Sequence, residues 1–117
     1  MRPTQFDRIV DDALDDLPAW VLDAVENLHV VVENRPTADQ DPDGRGILGI
    51  YEGVSLAERG NEYSGFLPDR IVIFREPHLA LGLSRSELRG EIRRTVLHEV
   101  AHHLGIGDRR LEELGWD

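Results

Sequence analysis

Three residues near the C-terminus have the types and the spacing of a metal site: His98, Glu99 and His102. Residues four apart on a helix lie one turn apart on nearly the same side, so both imidazoles can reach one ion. Neutral imidazole nitrogens bind zinc at roughly 2.0–2.1 Å. Glu99 flanks the pair without having to coordinate the metal, which is where a general base for metal-bound water belongs. The pattern therefore predicts a zinc site that can activate water.

The motif continues beyond His102, and the two added residues have a geometric use. Gly105 and Asp108 extend the pattern to HExxHxxGxxD. A glycine lets the chain leave a helix sharply with positive φ. Asp108 could then turn back as the third protein ligand and leave the fourth position for water. This longer motif arises by chance far less often than HExxH alone, so it strengthens the prediction of a zinc site.

Asp108 also has a simpler interpretation. It could pair with Arg109 or Arg110, or cap the short helix that is predicted to follow it. A downstream carboxylate, Glu112 or Glu113, would then be the third ligand. The residues leave both possibilities open.

The other histidines are expected to lie outside the ligand set. His103 follows Val96 by seven residues and falls on the apolar side of the same helix, so we expect it in the core or behind the ligands. His29 and His78 are isolated in the sequence, and a surface or strand-end position is expected for each.

A helix must carry the motif, and the sequence predicts its ends. Ser84 and Glu87 have the spacing of a capping box, and Gly105 stands where a helix commonly ends. Apolar residues recur at every fourth position between these ends: Leu88, Ile92, Val96, Val100 and Leu104. They predict a helix of about twenty residues with one buried face, from which His98 and His102 point away.

Shorter elements are predicted along the rest of the chain. Apolar periodicity indicates an amphipathic helix over residues 6–17, and Pro18 reads as the start of a second helix that runs to about residue 26. Short β-branched runs predict three strands, over residues 28–32, 47–51 and 71–74. Residues 34–46 read as a loop and residues 76–81 as one or two helical turns. The pattern suits one α+β domain over residues 1–117.

Composition excludes several classes of function. The chain has no cysteine, so any zinc must be held by histidine and carboxylate ligands. A net charge of −10 opposes binding to nucleic acids and to anionic membranes. No apolar run reaches the roughly 20 residues of a membrane-spanning helix, and the acidic N-terminus does not have the pattern of a secretory signal. We therefore expect a cytoplasmic protein.

The motif is similar to that of zincin metallopeptidases, and the chain resembles the small bacterial zincin-like metallopeptidase family. The matching segments are residues 47–53, 67–71, 94–103 and 114–116. This resemblance implies a minimal zincin-like fold, with a small mixed sheet packed on a long helix that carries HExxH. It also implies zinc at His98 and His102, a catalytic Glu99, and Asp108 as the third ligand.

These observations favour a zinc-dependent hydrolase that acts on a peptide or protein substrate. Zinc-bound water would attack a peptide carbonyl with Glu99 as the general base. An extended peptide could pair with an edge strand, either 71–74 or 47–51. Tyr51 or Tyr63 could stabilise an oxyanion, and the sequence does not choose between them.

The alternative is a non-enzymatic zinc-binding or regulatory domain with a vestigial site. The chain departs from metzincins because its only methionine is Met1, so no Met-turn can lie beneath the metal. We also expect no large C-terminal subdomain to form the lower wall of a cleft. The intact Glu99 argues against this alternative, since a purely structural zinc site needs four protein ligands and no base. A metal-dependent ribonuclease is disfavoured by the net charge.

Overall fold

The computed structural model describes residues 3–19, 28–53 and 69–115, which form four helices and three strands within those ranges. The helices are α1 (Pro3–Asp15), α2 (Arg75–Leu79), α3 (Arg85–Leu104) and α4 (Asp108–Leu114). The strands are β1 (His29–Glu33), β2 (Gly49–Glu52) and β3 (Arg70–Phe74). The predicted α+β class is confirmed, and each predicted strand is found within two residues of its expected start.

The three strands form one mixed sheet in the order β1-β3-β2. β1 pairs with β3 in parallel, and β2 pairs with β3 antiparallel. Because β3 lies in the middle, its residues 71–74 are fully buried, as expected for a strand that is covered on both faces. The described part of the sheet therefore has its edges at β1 and β2.

Helix α3 packs on this sheet and against α1. Its buried side contacts β2 and β3, while α1 lies against the same helix. The shared core takes apolar side chains from all of these elements, chiefly Phe6, Ile9, Val10, Ala13, Ile71, Ile73, Leu88, Ile92, Val96 and Val100. Burial of each large apolar side chain contributes about 1.5–3 kcal/mol, so this packing fixes the position of α3.

Both ends of α3 are defined by local interactions. The Ser84 hydroxyl accepts a hydrogen bond from the Glu87 amide at 3.3 Å, and the Glu87 carboxylate accepts one from the Ser84 amide at 3.1 Å. Such a cap stabilises a helix by about 1 kcal/mol. At the other end Gly105 adopts the left-handed conformation, with φ 75° and ψ 24°. The chain therefore turns out of the helix three residues after His102.

The approach of α3 to β2 is very close at one point. A Cβ atom at Gly49 would lie 2.8 Å from Thr95 Cγ2 and 3.0 Å from the Val72 carbonyl oxygen. Both distances are shorter than ordinary van der Waals contact, so a side chain at this position would push the helix and the strand apart. Glycine at position 49 keeps β2 against α3 next to His98 and Glu99.

His78 is not at the surface, and the prediction for it was wrong. Its side chain is fully buried between α2 and α3. Nδ1 lies 2.8 Å from the Phe74 carbonyl oxygen, and Nε2 lies 3.0 Å from the Thr95 hydroxyl. Thr95 is 17 residues away and the Phe74 group is a backbone carbonyl, so the residue types around His78 gave no sign of either partner. His29, by contrast, is exposed at the start of β1, as predicted.

Some predictions concern residues outside the described ranges. Most of the second helix that was predicted from Pro18 to about residue 26 falls in the segment 20–27, which lies outside these ranges. Tyr63 falls in the segment 54–68, which also lies outside them. Among the described helices none is both long and apolar enough to span a membrane.

Buried His78 should make the stability of the fold depend on pH. Burial lowers the pKa of His78 below its ordinary value of 6.5, so below that pH the unfolded chain binds a proton that the folded chain refuses. This contribution is complete above pH 6.5 and is lost as the pH falls below it. We expect the metal-free His78→Gln variant to lose less stability than the wild type between about pH 7.5 and about pH 5.5 in urea unfolding. Equal losses in the two proteins would contradict this, because their other histidines are the same.

Candidate metal centre

The last two turns of α3 bring His98, Glu99 and His102 together. One ligand atom from each residue lies within 4.8 Å of the others. The two imidazole rings stand edge to face with their centroids 4.7 Å apart. Both rings are partly exposed, whereas only 7% of Glu99 is accessible to solvent. The helical spacing therefore produces two accessible imidazoles beside a buried carboxylate.

The Glu99 carboxylate is held by the sheet on one side and is incompletely paired on the other. The backbone N–H of Tyr51 in β2 faces the carboxylate closely enough to lower its pKa. The Oε2 atom of Glu99 lies 3.2 Å from His102 Nδ1, at ion-pair distance. This contact is poorly aligned for a hydrogen bond, so Oε2 is a buried oxygen without a well-aligned donor among the residues that the structure describes.

Burial raises the pKa of Glu99 above its ordinary value. The charges of His102 and His98, the side-chain contact with His102 and the Tyr51 N–H act in the opposite direction. A raised pKa strengthens a carboxylate as a base. A bound divalent cation would add to the lowering effects.

These groups fit a zinc ion with a bound water. Two imidazoles within reach of one ion are suitable ligands for zinc. A buried carboxylate oxygen without a donor normally costs about 1–3 kcal/mol, and a metal-bound water next to it would satisfy that oxygen.

Asp108 lies apart from this group in the structure. It is the first residue of α4, after Gly107, and its side chain is exposed. The ligand atoms that converge within 4.8 Å in the described residues belong to the other three residues of the motif. The turn at Gly105 does bring the chain back after α3, but Asp108 is not part of the cluster.

The neighbours of Asp108 pair with each other and not with it. Arg110 Nη1 lies 2.8 Å from Glu113 Oε2, and Arg109 Nε lies 3.9 Å from Glu113 Oε1. Asp108 itself makes no side-chain hydrogen bond or ion pair within residues 3–19, 28–53 and 69–115. Its carboxylate is therefore available, whereas that of Glu113 is engaged.

A groove runs beside the cluster, between the start of β2 and α3. It encloses a cavity of about 270 Å³. The walls are residues 47–49 on one side and side chains of α3 on the other, namely Glu91, Arg94, Thr95, His98 and Glu99. His98 and Glu99 therefore face a space that a ligand could enter.

Sequence reasoning missed two groups that surround the motif. The Tyr51 N–H is a backbone donor, so no residue type could indicate it. Asp69 is buried and accepts hydrogen bonds from Tyr51 and His103. The buried position of His103 was itself predicted correctly. The two partners of Asp69 are 18 and 34 residues away, so local spacing could not reveal them.

The segment that contains these residues also matches a known protein family. A family model described as zincin-like metallopeptidase matches residues 25–116. The chain belongs to this family. No curated protein matches the chain. Among solved structures, this zincin-like chain is similar to a conserved hypothetical protein from Thermo thermophilus, with 22% identity and a TM-score of 0.62, over 99% of this chain and 100% of the other. At this identity the likeness shows a shared fold alone.

Zinc should stabilise the folded protein through this cluster. At a free zinc concentration of about 100 times Kd, binding to the folded state adds about 2.7 kcal/mol, which corresponds to a rise in Tm of roughly 10 °C. We expect that rise in calorimetry for the wild type and for the control His29→Ala, and its loss in His98→Ala and His102→Ala. An equal rise in all four proteins would place the zinc elsewhere.

Proposed function

We propose that this protein is a zinc-dependent hydrolase that cleaves peptide bonds. The observation that supports this most strongly is the state of Glu99. Its carboxylate is buried, faces the Tyr51 N–H, and keeps one oxygen without a well-aligned hydrogen bond beside two accessible imidazoles. Family membership points to the same class of reaction.

Each residue of the motif then has a distinct role on the active-site helix α3. His98 and His102 hold the ion, and we propose Asp108 as the third ligand. Zinc bound there would lower the pKa of its water towards neutrality and polarise the scissile carbonyl. Glu99, as the general base, would take up a proton from the attacking water and deliver it to the leaving amine.

The substrate is proposed to be an extended peptide that pairs with β2. β3 cannot serve, because both of its edges are occupied by β1 and β2. The Phe74 amide donates to the Leu48 carbonyl, and hydrogen bonds alternate along antiparallel strands. The polar backbone groups of Gly49 are therefore directed away from β3, and Gly49 lines the groove together with His98 and Glu99. A peptide in this groove could add a strand there and bring one carbonyl to the metal.

The non-enzymatic alternative explains Glu99 less well. In a vestigial site a buried, incompletely paired carboxylate would only reduce stability. A structural zinc site would also need a fourth protein ligand, and the cluster in the described residues has two imidazoles and one carboxylate.

Glu99→Gln tests the proposed mechanism directly. The amide keeps the shape of the side chain but cannot accept the proton, so we expect cleavage of a quenched-fluorescence peptide library to fall by about 10²–10⁴-fold. Zinc content should stay at the wild-type level. The matched control is Glu76→Gln, an exposed glutamate on α2, which should keep full activity. Retained activity with retained zinc in Glu99→Gln would overturn the role of Glu99, and a zinc-loaded wild type that cleaves nothing would favour the non-enzymatic domain.

The third ligand is tested by zinc affinity. Loss of a direct ligand should weaken binding more than the roughly 10–100-fold loss that follows removal of a residue behind the ligands. We therefore expect Asp108→Ala to raise the zinc Kd by more than about 100-fold in chelator competition, while Glu112→Ala and Glu113→Ala leave it within a few-fold. A large loss in either glutamate variant, with unchanged affinity in Asp108→Ala, would transfer the role to that glutamate.

A further inference from the structure

A second buried polar cluster lies behind the candidate metal centre. It consists of Tyr51, Asp69 and His103, and the last two are each only 3% exposed. The Tyr51 hydroxyl donates to Asp69 Oδ2 at 2.5 Å, and His103 Nδ1 donates to the same oxygen at 3.0 Å. The rings of Tyr51 and His103 meet edge to face, with their centroids 5.7 Å apart. This cluster joins three segments: β2, the residue before β3, and the last turn of α3.

The carboxylate of Asp69 is confined on a further side by Gly53. A Cβ at Gly53 would overlap with Asp69 Oδ1, and φ at this glycine is 150°. Any side chain at position 53 would therefore collide with Asp69 and would be strained as well. Close packing of this kind leaves the carboxylate little freedom to move.

Tyr51 connects this cluster to the metal centre. Its side chain donates to Asp69. Because hydrogen bonds alternate along antiparallel strands from the Leu48–Phe74 pair, the backbone N–H of Tyr51 points away from β3. It faces the carboxylate of Glu99 and lowers the pKa of that group. His103 makes a parallel connection, because it is the residue after His102 on α3. A shift of β2 along its own axis would therefore change the orientation of Glu99, and a rotation of the last turn of α3 would move His102.

We propose that Asp69 is a positioning residue which, through Tyr51 and His103, holds the Glu99 carboxylate in register with the His98–His102 pair. The kinetic consequence rests on the proposed function, because it requires Glu99 to act as the base. The structural consequence does not: without Asp69, the Tyr51 N–H should lose its alignment with Glu99 whether or not the protein hydrolyses peptides.

The test follows the amide of residue 51 by ¹⁵N–¹H NMR. A hydrogen bond to a carboxylate should move this signal downfield, so Glu99→Gln defines the direction of the change when the bond is weakened. We expect Asp69→Ala and Tyr51→Phe to move the signal in the same direction. His78→Gln removes a different pair of buried hydrogen bonds next to α3 and should leave this amide unchanged.

The kinetic arm separates positioning from simple stability. We expect kcat to fall about 10–100-fold in Asp69→Ala and Tyr51→Phe, with KM and zinc content close to those of the wild type. Asp69→Asn keeps an oxygen acceptor and should recover part of the activity that Asp69→Ala loses. His78→Gln should lower Tm without lowering kcat at a temperature where it remains folded.

Two outcomes would overturn the proposal. The first is a lower Tm in the Asp69 and Tyr51 variants with an unchanged amide signal at residue 51, which would make the cluster purely structural. The second is an unchanged kcat in an active protein whose amide signal has moved, which would show that Glu99 needs no such alignment. If the wild type cleaves no peptide, the proposed function fails, and the NMR arm still decides whether Asp69 aligns Tyr51 with Glu99.

Discussion

The packing of α3 against β2 and β3 is the contact on which the rest of the structure depends. The buried side of the helix sets its rotation, and that rotation directs His98 and His102 towards solvent and Glu99 towards β2. At Gly49 the contact is so close that it leaves no room for a Cβ. One helix–sheet interface therefore forms the hydrophobic core and also one wall of the groove beside the metal centre.

The same interface places a carboxylate where it reduces stability. A buried glutamate with an incompletely paired oxygen is unfavourable in an apo fold, and the Tyr51 N–H compensates only in part. Folds retain such groups mainly at functional sites, where burial and a fixed donor prepare a base for its reaction. The cluster of Tyr51, Asp69 and His103 lies behind this carboxylate. Its hydrogen bonds fix β2, the strand that faces Glu99.

The sequence predicted the elements whose signals are local. The capping box at Ser84, the left-handed Gly105 and the repeat of apolar residues along α3 all depend on neighbours within a few positions, and the structure contains each of them. His78 and Asp69 could not be predicted in the same way. The side chains that bind them, Thr95 for His78 and His103 for Asp69, come from distant parts of the sequence, and the other partner of His78 is a backbone carbonyl. Spacing also predicts the turn at Gly105, but it does not predict that Asp108 begins α4 with an exposed side chain.

Zinc K-edge X-ray absorption of the zinc-loaded protein shows directly whether two imidazoles bind the ion. We expect nitrogen and oxygen donors around the zinc with multiple scattering from two imidazoles, at the roughly 2.0–2.1 Å of zinc–histidine bonds. One imidazole should disappear in His98→Ala and one in His102→Ala. A spectrum without imidazole scattering, or one that both substitutions leave unchanged, would contradict a metal centre on α3.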